Sequence, residues 1–412
     1  MNEIPPVSNK RPLLVVFVTV LLDLIGFGII IPIQPFLAEQ FGASAAVVTL
    51  LGASYSFMQF LFAPFWGRLS DRFGRRPIIL MSVAVSCVGY VLFGFASNLA
   101  MLFFARMLAG FGNANIGTAQ AVVADCTTIE GRSRGMGMIG ASFGLGFIIG
   151  PLLGGLFVQH SLATPAFVAA GLAAINFLMA CFWLPETNKQ RGVLKEKIPL
   201  RRSLPELWRL PNLSVLLSIV FLVVWGFAMV EQSLALFVQH VFAPQAGALD
   251  VSGASMKHAA RLTSYVLLVV GITAVIVQGG LIRHLVRRLG ERHLILAGCA
   301  VLIAAFLCFP LVESVPHFSL MLGCGALLAL GFGVVNPCLQ GLISRGIDGD
   351  RQGLALGASQ SLSSLGRVLG PAMAGQIFEV HPTAPFLWAT GLVVICLILA
   401  PSIRERATAP AS

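Results

Sequence analysis

The chain has 412 residues, 57% hydrophobic and only 11% charged, with a mean hydropathy of +0.88. Soluble domains carry about 25% charged residues, so this composition excludes a water-soluble enzyme and calls for a polytopic membrane protein. The net charge of +10 does not mark a nucleic-acid binder, because the basic residues lie between apolar runs, as membrane topology requires.

Twelve apolar spans are predicted in order, at 13–38, 45–66, 78–97, 99–124, 135–159, 164–185, 213–242, 261–282, 294–312, 318–344, 354–379 and 384–402. The first is long enough to cross and leads directly into more spans, so no cleavable signal is expected. Between spans six and seven lies the only long polar connector, 186–212, rich in Lys and Arg. It is read as a cytoplasmic linker between an N-terminal six-helix half (1–185) and a C-terminal one (213–412). Lys257 and Arg261 fall on one side of the predicted membrane, and Arg106 and Arg367 within spans. Every other one of the 27 Lys and Arg residues falls on the side holding both termini, which places those termini in the cytoplasm. The eight cysteines form no CxxC pair and sit mostly in spans, which reads as packing, not as a metal site or disulfide framework.

Span five reads GMGMIGASFGLGFIIGPLLGG. Gly146, Gly150 and Gly154 recur every four residues and stack on one helix face, the spacing that lets two membrane helices approach closely. Pro151 removes a backbone hydrogen bond and should bend the helix. Gly357, Gly366, Gly370, Pro371 and Gly375 repeat Gly137, Gly146, Gly150, Pro151 and Gly155 half a chain later. Such a repeat predicts a duplicated membrane unit. The loop after span two, GRLSDRFGRRP (67–77), has a degenerate copy after span eight, RHLVRRLGERH (283–293). Positive-inside anchoring accounts for the arginines of this loop, but not for its fixed Gly-x-x-x-Asp-Arg-x-Gly-Arg-Arg spacing.

These stretches resemble the major facilitator superfamily, in its twelve-helix drug:proton antiporter branch. GRLSDRFGRRP resembles the signature loop of that superfamily, and Gly137 to Gly155 its antiporter signature, G-x8-G-x3-GP-x2-GG. LLDLIGFGIIIPIQP (21–35) and GASFGLG (140–146) look particularly like tetracycline exporters. Two positions depart from those exporters: Gly89 precedes Tyr90 where they typically carry an aspartate, and span nine has no acid. The resemblance therefore implies the transporter class and does not extend to tetracycline as the cargo. It implies an all-α membrane fold of twelve transmembrane helices in two pseudo-symmetric halves. It also implies a cytoplasmic latch built from Gly67, Asp71, Arg72, Gly74, Arg75 and Arg76, with Asp71 meeting the start of helix 11 and Arg72 meeting Asp125. The antiporter motif is Gly137, Gly146, Gly150, Pro151, Gly154 and Gly155.

Ionisable side chains at bilayer depth are costly and invite functional hypotheses. Asp23 lies roughly 15 Å into span one at 1.5 Å per residue, on a face with Phe27, Ile30 and Gln34. Arg106 in span four lies within about 5 Å of that depth. Asn113 and Gln120, with Gly110 and Gly117, continue one small and polar stripe below it. Asp23 and Arg106 form either a structural ion pair or a proton-linked carboxylate with a nearby cation. The resemblance implies that Arg106 serves proton coupling. Glu231, followed by Gln232, is either a water-facing residue near its helix end or a second protonation site. Arg367, sharing a face with Gln360, is placed to balance it. Asn336 and Gln340 are cavity donors and acceptors or interhelical links.

No Walker loop and no zinc spacing occur, so no enzyme is expected. The expectation is a cofactor-free, proton-coupled exporter of small amphipathic organic compounds or drugs, working by alternating access. It is placed in the cytoplasmic (inner) membrane as a monomer, with the substrate, protons and the lipid bilayer as partners and no nucleic acid. The alternatives are a same-fold exporter of one metabolite, a lipid translocator, and a non-transporting receptor or enzyme.

Overall fold

A computed structural model describes residues 10–127, 129–188, 210–243, 254–345 and 349–403. Most of the predicted linker, at 189–209, lies outside the described residues. The helices are α1 (Lys10–Ile30), α2 (Gln34–Glu39), α3 (Ala45–Phe73), α4 (Arg75–Gly94), α5 (Leu99–Gly112), α6 (Ile116–Cys126), α7 (Ile129–Phe157), α8 (Thr164–Trp183), α9 (Pro211–Phe242), α10 (Ala254–Ile276), α11 (Ile282–Leu289), α12 (Glu291–Ser314), α13 (Phe318–Arg345), α14 (Gly349–Val380) and α15 (Ala384–Leu399). Eleven helical stretches among the described residues are long and apolar enough to cross a membrane. The twelfth span is α14, 32 residues long and less apolar because it carries Arg367 and four serines, at 359, 361, 363 and 364. The all-α, twelve-span fold is thus the one expected.

Three spans differ from simple rods. Span one breaks at 31–33, where Pro32 and Pro35 interrupt the hydrogen-bond ladder and Pro35 opens α2. Gln34 therefore starts a separate helix and does not continue the Asp23 face. Span four is interrupted by a 3₁₀ turn at Asn113–Asn115, after a Gly-Phe-Gly sequence of weak helix propensity. Span eight continues through a π-helical segment, Val277–Leu281, into α11, so much of the second loop copy is helical. In both copies the helix break is one residue: Gly74, at φ +110°, and Gly290, at φ +76°. Only glycine adopts such angles cheaply.

By contact the chain divides into two compact units. The first takes 1–195 together with Val238–Gly271, and the second 196–237 together with Ile272–Ser412. In the first, α1 packs chiefly on α7 and α8, and α4 on α5 and α8. The second is centred on α12 against α13 and α15, where the buried rings of Phe309 and Phe386 stack at 4.2 Å beside Phe237.

The glycine stripes define the tightest helix pairs. A Cβ on Gly150 would lie 2.7 Å from Gly28 Cα and 2.8 Å from the Ile25 carbonyl oxygen, and one on Gly146 2.6 Å from Leu24 Cβ. A Cβ on Gly154 would meet the Ile29 carbonyl at 2.8 Å. Gly155 faces α10 instead, with Ser264 Cβ at 2.6 Å from its built Cβ. Gly137 touches nothing within 4 Å, so its place in the motif has no packing explanation here. In the second unit the design recurs: Gly370 packs on Met229 N and the Trp225 carbonyl, at 2.8 and 3.0 Å from a built Cβ, and Gly366 on Trp225 N at 3.0 Å. Helix α7 thus seats on α1 as α14 seats on α9.

Candidate functional site

Asp23 is buried in the middle of α1, 9% exposed. Two amides hold its carboxylate. Asn115 Nδ2 donates to Oδ2 at 3.3 Å and Asn176 Nδ2 donates to Oδ1 at 3.0 Å. The 3₁₀ turn in span four presents Asn115, which also donates to Ser82 Oγ at 2.7 Å. Asn176 comes from the middle of α8 and also donates to the Thr19 carbonyl at 3.0 Å. The neighbouring Asn113 donates to Tyr90 OH at 3.2 Å, accepts from Ser86 Oγ at 3.3 Å, and its carbonyl accepts from Gln59 Nε2 at 3.1 Å. A cavity of about 20 Å³ lies against this belt, lined by Asp23, Phe27, Tyr55, Gln59, Asn113 and Asn115 among others. That is room for a water molecule with several polar partners.

Arg106 is 3% exposed, yet no ion pair joins it to Asp23 among the described residues. Its guanidinium lies 4.4 Å from the Tyr55 ring centroid and 5.9 Å from that of Phe27. Those rings stack on each other at 4.9 Å. Nε and Nη1 have no hydrogen-bond partner. The similar depths read from the sequence do bring both residues to one layer, around the Phe27 and Tyr55 rings. The carboxylate is taken by amides and the cation by aromatic faces, a contact that suits the flat guanidinium.

The other predicted residues are dispersed. Gln34 is buried at the head of α2, and Gln120 is exposed on α6. In the second unit Glu231 and Gln232 are half-buried on α9. Arg367, exposed on α14, is close enough for its charge to act on Glu231 without closing to an ion pair. Asn336 is half-buried and Gln360 exposed. Gln340 Nε2 donates to Ser359 Oγ at 3.0 Å, linking α13 to α14, which is the second of the two roles expected for it.

The signature loop is a charge cluster built around Arg75. Its Nη1 meets Asp71 Oδ1 at 2.6 Å and Ser70 Oγ at 2.7 Å, and its Nε meets Asp125 Oδ2 at 3.2 Å. This corrects one expectation: Arg72 is not the partner of Asp125. Arg72 is exposed with its guanidinium 5.3 Å from the Phe73 ring, because Gly74 turns the chain and swings Arg75 inward. Glu186 accepts from the backbone N–H groups of Arg75 and Arg76, at 2.9 and 3.2 Å, placing a negative charge at the α4 N-terminus. Gly67 has open space around it. The start of helix 11, the implied partner of Asp71, falls at 346–354, whose side chains lie outside the described residues. The second loop copy repeats the bridge with the signs exchanged. Glu291, first residue of α12, pairs with Arg345, last residue of α13, as Arg75 at the head of α4 pairs with Asp125.

Gly89 explains its own departure. A Cβ there would lie 2.9 Å from Ala109 N and 3.1 Å from Ala109 Cα, so the site has no room for a carboxylate. Gly89→Asp should therefore lower the melting temperature of the purified protein by several degrees or abolish expression, in keeping with about 1–3 kcal/mol for overpacking. A variant melting with the wild type would show that α4 and α5 part easily.

Sequence reasoning passed over Glu39, which ends α2 just beyond span one. Gln239 Nε2 on α9 donates to Glu39 Oε2 at 2.9 Å. Burial pushes the Glu39 carboxyl above its ordinary range, and the Gln239 hydrogen bond opposes that shift. A raised folded-state pKa means that stability from this site is present at low pH and lost as pH rises through that pKa. Glu39→Gln copies the neutral form. Its melting temperature should match the wild type in acid and exceed it increasingly as pH rises above the ordinary carboxylate range. A gap independent of pH would sink this account.

A chain of apolar spans, tight glycine seams and a buried carboxylate beside a small cavity define a multi-pass membrane transporter. A sequence profile of the Major Facilitator Superfamily matches residues 16–371, with a further match at 284–410. The chain belongs to that superfamily and is a transporter, not an enzyme. It is 31% identical to the tetracycline resistance protein, class C, of Escherichia coli, over 97% of this chain and 98% of that protein. It is 28% identical to multidrug resistance protein 2 of Bacillus subtilis (strain 168), over 97% of this chain and 96% of that protein. Among solved structures it resembles the human organic anion transporter MFSD10 (TETRAN), with a TM-score of 0.69 and 25% identity, over 97% of this chain and 100% of that one. The nucleoside transporter NupG, at 12% identity and a TM-score of 0.77 over 95% of this chain and 99% of its own, shares the fold.

Proposed function

We propose that this protein is a proton-coupled secondary active transporter that exports small amphipathic organic compounds or drugs by alternating access. The observation that carries the reading is Asp23: a buried carboxylate at mid-span, held by two amides and bordering a small cavity with room for water. A carboxyl so placed can take up and release a proton without unfolding its surroundings. The tetracycline and multidrug resistance relatives support drug-like cargo. The protein works without a cofactor, as a monomer in the cytoplasmic membrane, with both termini in the cytoplasm. Its moving bodies are the halves 1–185 and 213–412, joined by the linker 186–212. The Arg75 cluster and its sign-exchanged copy bias the conformations from the ends of the spans. Glu231 and Arg367 supply a second charged site.

The test is substrate-dependent proton flux in proteoliposomes, screened against a panel of unrelated amphiphiles. Several unrelated compounds should each drive proton counterflow and compete with one another. Saturation by a single compound class would replace drug export with a dedicated metabolite exporter. No proton movement with any transported compound would end the coupling.

A further inference from the structure

We propose that the basic face of α11 binds the headgroup of an anionic phospholipid from the leaflet around it. Helical spacing divides Ile282–Leu289 into two faces. Ile282, Leu285, Val286 and Leu289 share one, and Arg283, His284, Arg287 and Arg288 the other. All four basic side chains are exposed, whereas Ile282, Leu285 and Val286 are half-buried. The apolar face thus turns toward the protein and the basic face looks outward. Arginines at the end of a span are ordinarily solvated anchors. Two observations set these apart.

The first is depth. α10, the π-helical segment and α11 form one helical stretch, Ala254–Leu289. Between Arg261 and Arg283 no residue is charged over 262–282, which at 1.5 Å per residue is about 31 Å, the thickness of the hydrocarbon core. Arg283 therefore stands at the core boundary, and Arg287 and Arg288 lie about 6–8 Å beyond it. Headgroups add about 5–8 Å on each side of the core, so these arginines share the depth of the phosphates. Just inside the boundary the helix is bare. Ile272, Ile276 and Leu281 are exposed, and a Cβ built on Gly279 or Gly280 meets nothing within 4 Å. A mostly apolar strip, open to an acyl chain, leads up to the basic face.

The second is charge balance. In the first loop copy the residue three places before the helix-breaking glycine is Asp71, and it pairs with Arg75. Three places before Gly290 stands Arg287. Among the described residues, no acid lies within ion-pair distance of Arg283, Arg287 or Arg288. Glu291, the nearest acid in sequence, is taken by Arg345. A loop that neutralises itself in the first copy has thus become one whose charge is met from outside. Lipid phosphates are the anions at that depth, and the guanidinium fork fits them.

The test is native mass spectrometry of the purified protein, titrated with phosphatidylglycerol and separately with phosphatidylcholine. The wild type should retain phosphatidylglycerol saturably, at a small fixed number per chain, and phosphatidylcholine only weakly. Arg283→Gln, Arg287→Gln and Arg288→Gln together should weaken the tightest site about hundredfold, and Arg287→Gln alone about fivefold. Arg287→Asp, which restores the acid of the first copy, should lose more than Arg287→Gln. Lys195→Gln, Lys197→Gln and Arg201→Gln together remove the same charge from the polar connector and should leave that site unchanged. Equal losses in the two triple variants would mean diffuse attraction to a basic protein and overturn the site. Displacement of the lipid by millimolar inorganic phosphate would make the occupant a soluble phosphate compound, and the lipid would fail. If the triple variant does not fold, the two Arg287 variants carry the comparison. Equal retention of both lipids by the wild type ends the proposal without any variant.

Discussion

Asp23→Asn should bind cargo as the wild type does and export none of it uphill. The substitution keeps the size of the side chain and removes its ability to titrate. Asn115 and Asn176 then face a neutral amide whose single oxygen accepts from one of them, while the other must turn its own oxygen toward the new NH2, so the polar belt can stay paired and the fold is expected to hold. Binding need not change, because an apolar cargo is held by a wide surface rather than by one carboxylate. Proton-driven accumulation should fall to the level of empty liposomes at every pH, while downhill exchange of labelled cargo persists. The measurement is cargo and proton flux in the same vesicles. Uphill export at wild-type proton stoichiometry would exclude Asp23 and turn attention to Glu231.

Gly150→Leu should be equally damaging by a different route. The atoms that its side chain would meet are Gly28 Cα and the Ile25 carbonyl oxygen, both backbone. Overpacking against mobile side chains costs about 1–3 kcal/mol, and backbone cannot step aside as a side chain does. A cost of about 3 kcal/mol, roughly a hundredfold in a conformational equilibrium, would stop the cycle while leaving the rest of the unit folded. We expect near-complete loss of transport with normal size-exclusion behaviour. Gly137→Leu, a change in the same motif but into open space, should transport normally. Equal loss in both variants would mean that the helix, not the seam, is the sensitive element.

What the sequence could disclose depended on how local the signal was. The spans, the duplicated stripe of Gly146, Gly150 and Gly366, Gly370, and the common depth of Asp23 and Arg106 follow from periodicity and rise per residue. The partners of Asp23 did not follow. Asn115 faces it because a 3₁₀ turn rotates span four out of its regular register, and Asn176 because α8 crosses α1 at that level. Neither fact is written in a single helix. Asn176 lies in an otherwise apolar run, and that isolation was the available signal. The exchange of Arg72 for Arg75 has the same origin: Gly74 at φ +110° redirects the chain, and spacing alone does not tell which arginine turns inward. Glu39 is not legible because hydropathy reads the span as one rod, whereas the prolines at 32 and 35 end it early and deliver the acid onto α9.

The glycine seams invert the usual meaning of an alanine scan. Replacing a residue by alanine ordinarily deletes contacts and reports what was lost. At Gly28, Gly146, Gly150 and Gly370, alanine instead inserts a methyl group into a gap that is already shut, within 3.0 Å of neighbouring atoms. Defects found there would measure intrusion, and ranking these positions beside truncated side chains would compare quantities of different kind. A cysteine introduced for labelling carries the same burden, so probes for following α7 or α14 belong on faces turned away from the seam.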